Sequence, residues 1–196
     1  MITRLILAVL VMIPLNLKFE ELAEAQMPTG FTVRADVNYV PTGSIDFRNT
    51  TGSYDIYDNL FYRISGDYSF FNIFSAGPGF EIMKERIEPS AIYHDNISVY
   101  SFYLDLRMNY PFTESGGSLF VLGAGSGLSS LHEGVSGLSD KGFTGYGLVG
   151  FDLPLYDGLG LDLAYRYQTA RYKVDFREYK FDGSALQVGL NYRIRL

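Results

Sequence analysis

The stretch YSFYLDLRMNY, residues 100–110, is the clearest structural signal in this 196-residue chain. Its even-numbered residues are Tyr, Phe, Leu, Leu, Met and Tyr, and the residues between them are Ser, Tyr, Asp, Arg and Asn. Alternation with a two-residue period is the pattern of a β-strand that has one apolar face and one polar face. The stretch therefore predicts a strand whose apolar face runs along its whole length.

The same alternation recurs on both sides of this stretch, in segments rich in Tyr, Phe and Gly, a composition that favours pleated sheets joined by turns. It predicts eight strands, at about residues 31–39, 60–70, 73–84, 100–110, 119–129, 143–152, 159–168 and 186–196. The fifth and sixth are so rich in glycine that their faces cannot be assigned. Gly77-Pro78-Gly79 predicts a bulge or bend in the third strand.

The links between these strands alternate in length. Short turns are predicted near residues 71–72, 111–117 and 154–158, and longer polar loops at residues 40–59, 85–97, 130–142 and 173–182. Successive links of an up-and-down barrel lie at opposite ends, and transmembrane barrels pair short periplasmic turns with long external loops. The alternation therefore predicts a closed barrel with all its long loops at one end.

The N-terminus has the features of an export signal. Arg4 precedes the apolar run from Leu5 to Leu15, and the small-x-small triplet Ala23-Glu24-Ala25 follows it. We predict a signal peptide over residues 1–25, cleaved after Ala25, and a barrel domain over residues 26–196. The alternative is an uncleaved N-terminal anchor, because residues 16–24 are longer and more charged than most cleavage regions.

Charge and composition exclude other classes of protein. The formal net charge of −6 argues against nucleic acid as a partner, because phosphate binding needs clustered Lys and Arg. No apolar run after the N-terminus reaches the ~20 residues that a membrane-spanning helix needs. The chain has no cysteine, so it offers neither a disulfide nor a thiolate metal site.

Alternation alone leaves open whether the apolar face points into a soluble, lipocalin-like barrel or outward into lipid. The five lysines lie in the signal, in predicted loops or at a strand end, whereas a soluble barrel usually places Lys on its solvated faces. Tyrosines stand near the ends of several apolar faces, as they do at a membrane interface: Tyr39, Tyr100, Tyr110, Tyr167 and Tyr192.

The polar face carries arginines and carboxylates in nearly balanced number, and such groups can neutralise one another inside a closed lumen. The predicted lumen charge network consists of Arg34, Asp36, Arg63, Asp67, Asp105, Arg107, Asp162, Arg166, Arg193 and Arg195. The predicted fold class is therefore all-β, an eight-stranded antiparallel up-and-down transmembrane β-barrel.

Over about residues 30–196 the chain resembles the small outer-membrane barrels of the OmpA, OmpX and OmpW type. Residues 187–194, QVGLNYRI, look like the polar-x-Gly-x-x-hydrophobic-x-hydrophobic signal of such barrels, although this sequence ends in Leu where the family usually has an aromatic residue. The resemblance implies a bacterial outer-membrane location, with contacts to outer-membrane lipids and lipopolysaccharide. It also implies recognition by the outer-membrane assembly machinery through Gln187, Gly189, Tyr192, Ile194 and Leu196.

Some eight-stranded outer-membrane barrels are lipid A modifying enzymes, which need a nucleophile, a base and an orienting group in fixed positions. The only two histidines, His94 and His132, fall in predicted external loops, and we expect no enzymatic activity, no cofactor and no metal. We expect a lumen filled by side chains and a structural or surface-interaction role through long external loops, with the extracellular ligand unknown. The alternatives are a narrow channel or transporter for small hydrophobic molecules, and a lipid A modifying enzyme.

Overall fold

A computed structural model describes residues 30–47, 53–70, 73–90, 93–111, 118–134, 136–175 and 177–195. The predicted signal peptide, residues 1–25, lies outside the described residues. Among those residues, no helix is long and apolar enough to cross a membrane.

The described residues form nine β-strands that close into one sheet. They are β1 (Gly30–Phe47), β2 (Ser53–Phe70), β3 (Phe74–Ser90), β4 (Tyr93–Pro111), β5 (Leu119–Glu133), β6 (Ser139–Tyr156), β7 (Leu159–Val174), β8 (Arg177–Lys180) and β9 (Gly183–Arg195). Every strand pairs antiparallel with its neighbour in sequence, apart from β8 and β9, which both pair with β7 on one side and β1 on the other. They are thus two parts of one barrel strand. The predicted eight-stranded antiparallel up-and-down barrel is confirmed.

The eighth barrel strand carries a bulge against β1. Tyr39 pairs with Leu186 and Ser44 pairs with Lys180, so five steps along β1 face six steps along the eighth strand. The extra residue lies between Lys180 and Leu186, a stretch that includes the fully buried Phe181. The bulge predicted at Gly77-Pro78-Gly79 is absent, because the β2–β3 register is the same on both sides of that segment.

The predicted long loops were wrong in extent, because much of each belongs to a strand. β7, for example, continues to Val174, and β8 begins at Arg177. Along this part of β7 the exposed residues are Arg171 and Lys173, whereas Tyr172 and Val174 are buried. Two-residue alternation persists there, but the exposed face is polar. A search for an apolar face therefore stops too early along the strand.

The two faces of the barrel wall are sharply different. Large apolar side chains are exposed on the outside, among them Leu104, Leu128, Phe143, Leu186 and Val188. The residues between them point into the barrel and are mostly less exposed, and this alternation assigns the faces of β5 and β6 that the sequence left open. Along β7 the outward apolar run lasts from residue 159 to residue 167. At ~3.3 Å per residue and a tilt of ~40° this gives a band of about 23 Å, close to the ~25 Å of membrane barrels.

Candidate functional site

The polar interior of the barrel is the first place to look for a site. The structure buries eight of the ten residues in the predicted lumen charge network: Arg34, Asp36, Arg63, Asp67, Asp105, Arg107, Asp162 and Arg166. Arg193 lies nearer the end of β9, is 17% exposed and donates to Asp152 at 2.9 Å. Arg195 pairs through its backbone with Gly30, and its side chain lies outside the described part of the chain.

Most of these buried charges pair across the lumen with residues on other strands. Arg166 on β7 binds Glu81 on β3, four strands away around the barrel. Arg107 on β4 donates to Asp162 on β7 at 2.9 Å. Two further ion pairs lie within the same layer, Arg34 with Asp67 and Arg63 with Asp105. Because these side chains meet in the middle, they fill the cross-section of the barrel. We call this layer the central charge cluster.

Asp36 differs from the other carboxylates of the central charge cluster. It is buried, yet neither of its oxygens has a hydrogen-bond partner in the described part of the molecule. The carboxylate lies against Gly189, where an added Cβ would overlap it. Three arginines surround this site at longer range, namely Arg34, Arg63 and Arg107. Asp162 also lies within electrostatic range of this carboxylate. Among the described residues Asp36 therefore makes no direct ion pair, and charges of both signs surround it.

Two tyrosines sit between the arginines of the central charge cluster. The guanidinium carbon of Arg166 lies 4.0 Å from the ring centroid of Tyr146, and that of Arg63 lies 4.7 Å from the same centroid. The Tyr146 hydroxyl donates to Asp105 at 2.6 Å. Tyr103 donates to Glu81 at 3.1 Å. Aromatic rings thus contact both cations while their hydroxyls satisfy the carboxylates.

The inward glycines of β5 make room for these large groups. A Cβ at Gly125 would overlap both the Tyr146 ring and the Asp105 carboxylate. A Cβ at Gly123 would approach Leu148 at 3.1 Å and Arg107 at 3.3 Å. The glycines of β5 made its two faces impossible to assign from the sequence. They are required because large side chains lie opposite them in the lumen.

Three members of the cluster, Glu81, Tyr146 and Asp152, were not predicted from the sequence to face the lumen. A fourth, Tyr103, lies on the polar face of the stretch 100–110 but was not predicted as part of the network. Glu81 belongs to the strand whose register the Gly-Pro-Gly segment obscured, although it alternates there with Phe80 and Ile82. Tyr146 and Asp152 are on β6, whose glycines prevented any assignment of faces. Alternation around Glu81 is the one signal that could have found a missing member.

A second layer of the lumen is apolar. The upper apolar cluster comprises Val40, Phe61, Met83, Ile97, Val99, Leu131, Ala170, Tyr172, Val174, Tyr179, Phe181 and Ala185. Its members come from seven of the eight barrel strands, so they also meet across the lumen. Phe181, in the bulge, packs edge-on against Phe61 and Tyr172, with centroid distances of 6.1 and 6.2 Å. The sequence predicted a charge network for the interior and no apolar layer.

A polar contact spans the mouth of the barrel above this layer. Arg177 on β8 donates to Glu133 on β5 at 2.8 Å, and Tyr179 donates to the same carboxylate. Ser136 adds a third hydrogen bond to Glu133 at 2.7 Å. Burial raises the pKa of Tyr179, and its bond to Glu133 acts in the same direction. The phenol is therefore a neutral donor at physiological pH.

The two histidines do not lie where the sequence placed them. His94 is within β4 and His132 is within β5, so neither belongs to a loop. His132 faces outward, 3.1 Å from the Ser130 hydroxyl and edge-on to the Tyr100 ring at 5.9 Å. The His94 side chain lies outside the described residues. Among the described residues, no group of three or more His, Cys, Asp or Glu side chains could hold a metal ion.

The residues of the predicted assembly signal divide between the two faces of β9. Tyr192 and Ile194 are exposed on the outer surface, whereas Gln187 and Gly189 are buried. Gly189 has a packing reason for its identity, because Asp36 occupies the space that its Cβ would need. Leu196 lies outside the described residues.

A closed antiparallel barrel with an apolar outer band and a charged, filled interior defines the class of this protein as a transmembrane β-barrel of the bacterial outer membrane. The chain belongs to the outer membrane protein beta-barrel domain family, which it matches over residues 5–193.

Solved structures of the same class resemble the chain in fold. Neisserial surface protein A is 20% identical, with 84% of this chain and 97% of that chain covered and a TM-score of 0.62. The outer membrane protein OprG from Pseudomonas aeruginosa is 13% identical, with 87% and 98% covered and a TM-score of 0.54. No curated protein matches the sequence. Sequence identities this low establish a shared fold but not a shared function.

Proposed function

We propose that this protein is a non-enzymatic, non-conducting outer-membrane barrel that acts through its extracellular end, in a structural or surface-interaction role. One observation carries the proposal: two successive layers of side chains, the central charge cluster and the upper apolar cluster, meet across the lumen. An eight-stranded barrel has an interior just wide enough for side chains to fill.

Opening such a lumen would be costly. A solute crossing the central charge cluster would have to displace buried ion pairs such as Arg166 with Glu81 and Arg107 with Asp162. Separating one partner of a buried pair from the other costs ~3–5 kcal/mol. Because several pairs occupy the layer, we infer that no path for ions or polar solutes is open at rest.

The extracellular end is the surface that remains for interaction. Strands continue beyond the apolar band and present polar outward residues, for instance Arg171 and Lys173 on β7. A rigid support of this kind suits recognition better than long mobile loops would, because less conformational entropy is lost on binding. At the opposite end, recognition of Gln187, Gly189, Tyr192, Ile194 and Leu196 by the assembly machinery stays a prediction.

A narrow channel for small hydrophobic molecules is the second candidate. The observation in its favour is the apolar character of the upper cluster, which lies directly beneath the mouth. A hydrophobic molecule would find compatible surface there, but only after Phe181 and its neighbours move aside. The central charge cluster below would oppose further passage toward the periplasm.

Conductance across planar bilayers tests the proposal. Purified barrel, whose folded state is checked by a gel mobility that changes on heating, is expected to give a flat current trace after reconstitution into the bilayer. A matched variant with Phe61, Tyr172 and Phe181 all changed to Ala keeps the central charge cluster intact and should also stay silent. Reproducible unitary steps from the unmodified protein would contradict the proposal, and uptake of a small hydrocarbon by liposomes would favour the second candidate.

A further inference from the structure

One patch of the lumen wall brings together polar side chains from three adjacent strands. On β1, Asp36 pairs with Gly189 of β9, and Asn38 pairs with Gln187. β7 lies on the other side of β9, where Asp162 pairs with the same Gly189. All of these residues are buried and face the lumen. The patch, which we call the Gly189 patch, consists of Asp36, Asn38, Asp162, Ala164, Gln187 and Gly189.

Two of the six positions are small, and they leave space at the centre of the Gly189 patch. The Asp36 carboxylate lies over Gly189, in the position that a Cβ would take. It thereby leans across β9, and Asp162 lies within electrostatic range of it. Two carboxylates repel each other strongly when they approach in a low-dielectric interior. This approach therefore calls for a positive charge beside them.

The atoms around this space are almost all acceptors. Asn38 and Gln187 are 0% and 1% exposed. Asn38 donates its amide N–H to Glu81 at 3.3 Å, and its oxygen has no partner among the described residues. The unpartnered atoms of the patch are Asp36 Oδ1 and Oδ2, Asn38 Oδ1, Asp162 Oδ1, and Gln187 Oε1 and Nε2. A proton satisfies a single pair of acceptors, whereas a hard metal ion takes about six oxygen ligands.

The charges of the layer show the same need for a cation. Among the described residues, five arginines are each bound to one carboxylate: Arg34 to Asp67, Arg63 to Asp105, Arg107 to Asp162, Arg166 to Glu81 and Arg193 to Asp152. Asp36 is the sixth carboxylate, so the layer carries one negative charge in excess. Arg195 lies six residues from Gly189 along β9, or about 20 Å, which is beyond the reach of its side chain.

We propose that the Gly189 patch binds one alkali-metal ion, sodium or potassium, through oxygens of Asp36, Asn38, Asp162 and Gln187. A single positive charge neutralises the layer, whereas a divalent ion would leave it with a positive excess. The ion connects β1 to β7 across β9, and so it stabilises the seam where the first and last strands of the barrel meet. It is held inside the filled lumen, and the site does not depend on the role of the extracellular end.

Urea unfolding of the purified barrel in zwitterionic detergent tests this inference, with circular dichroism as the readout. Sodium chloride is replaced stepwise by the chloride of N-methylglucamine, an organic cation too large for the patch, so that ionic strength stays constant. One ion that binds only the folded barrel should raise the ratio of folded to unfolded protein roughly tenfold for each tenfold rise in sodium concentration above the dissociation constant. Potassium chloride is tested in the same way, and a response to either ion supports the site.

Three variants locate the ion. D36N keeps the shape of the side chain and removes the excess charge, so it should fold without sodium and lose the sodium response. Q187L keeps the charge and removes one ligand, so its response should move to sodium concentrations roughly tenfold higher or more, as changes around metal sites commonly do. D182N is the matched control, because Asp182 lies on the outer wall and pairs with Arg171 at 3.2 Å. It should respond as the unmodified barrel does.

Other results would overturn the assignment. Equal sodium responses in D36N and D182N would place the ion elsewhere. The absence of any response to sodium or potassium in the unmodified barrel would show that no such ion is bound. If the unmodified barrel then became more stable as the pH fell, and D36N did not, the compensating charge would be a proton. Heat-modifiable gel mobility of each variant checks that it has folded.

Discussion

The Arg166 guanidinium makes two contacts inside the lumen: it forms an ion pair with Glu81 across the barrel, and it lies over the Tyr146 ring. Removing it in R166A leaves Glu81 buried with only weaker donors. A buried carboxylate that loses its cation destabilises a protein by about 3 kcal/mol or more. We expect a fall of that size in the free energy of unfolding, measured by circular dichroism in urea with the barrel in micelles. R107A should cause a smaller fall, because Asp162 keeps its ion pair with Arg34 at 3.3 Å.

The matched control for R166A is R171A, which removes an ion pair to Asp182 on the exposed outer wall. Solvent screens that pair, so the expected change is below about 1 kcal/mol. The double variant R166M/E81L should recover most of the loss, because it removes both charges together. If R166A unfolds at the same urea concentration as the unmodified barrel, the central charge cluster is hydrated enough to make its pairing energetically unimportant.

Among the strands, β5 shows most clearly what patterning can and cannot predict. The position of this strand followed from its spacing, but its faces did not, because glycines at 123, 125 and 127 erase the contrast between apolar and polar positions. Their identity is set by contacts with β4 and β6, which only the pairing register reveals. Patterning also fails at the end of β7 near Val174. The outward side chains there face water instead of lipid, so the exposed face is polar.

A single methyl group at Gly125 tests the packing of that strand. G125A would push its Cβ into the Tyr146 ring and the Asp105 carboxylate, so the cluster must shift. Overpacking of this kind costs about 1–3 kcal/mol. G145A is the control on the neighbouring strand, since the nearest atom to an added Cβ there is the Gly125 carbonyl oxygen at 3.5 Å. It should change the free energy of unfolding by less than about 0.5 kcal/mol. Equal effects from both variants would mean that Gly125 is not a packing requirement.

At the level of the whole barrel, the charges of the interior were predictable and their partners were not. A strand pattern identifies which residues face inward, but Arg166 and Glu81 are 85 residues apart in sequence and lie on opposite walls. Which wall each arginine reaches depends on the tilt and stagger of the closed barrel, and these are properties of all eight strands together. The upper apolar cluster was not predicted for the same reason, since its members are distributed over seven strands.

The orientation of the barrel in the membrane follows from its two ends. The paired ends of β1 and β9 lie at the same end as the short β6–β7 turn, where Asp157 and Gly158 both have positive φ, as in a tight hairpin turn. Membrane barrels keep their short turns in the periplasm. Because the chain has no cysteine, single cysteines report their location cleanly. On intact cells a membrane-impermeant maleimide should label L138C, in the β5–β6 link, and should label Y156C only after the outer membrane is permeabilised. The reverse pattern would show that the barrel is inverted and that the surface assigned to interaction faces the periplasm.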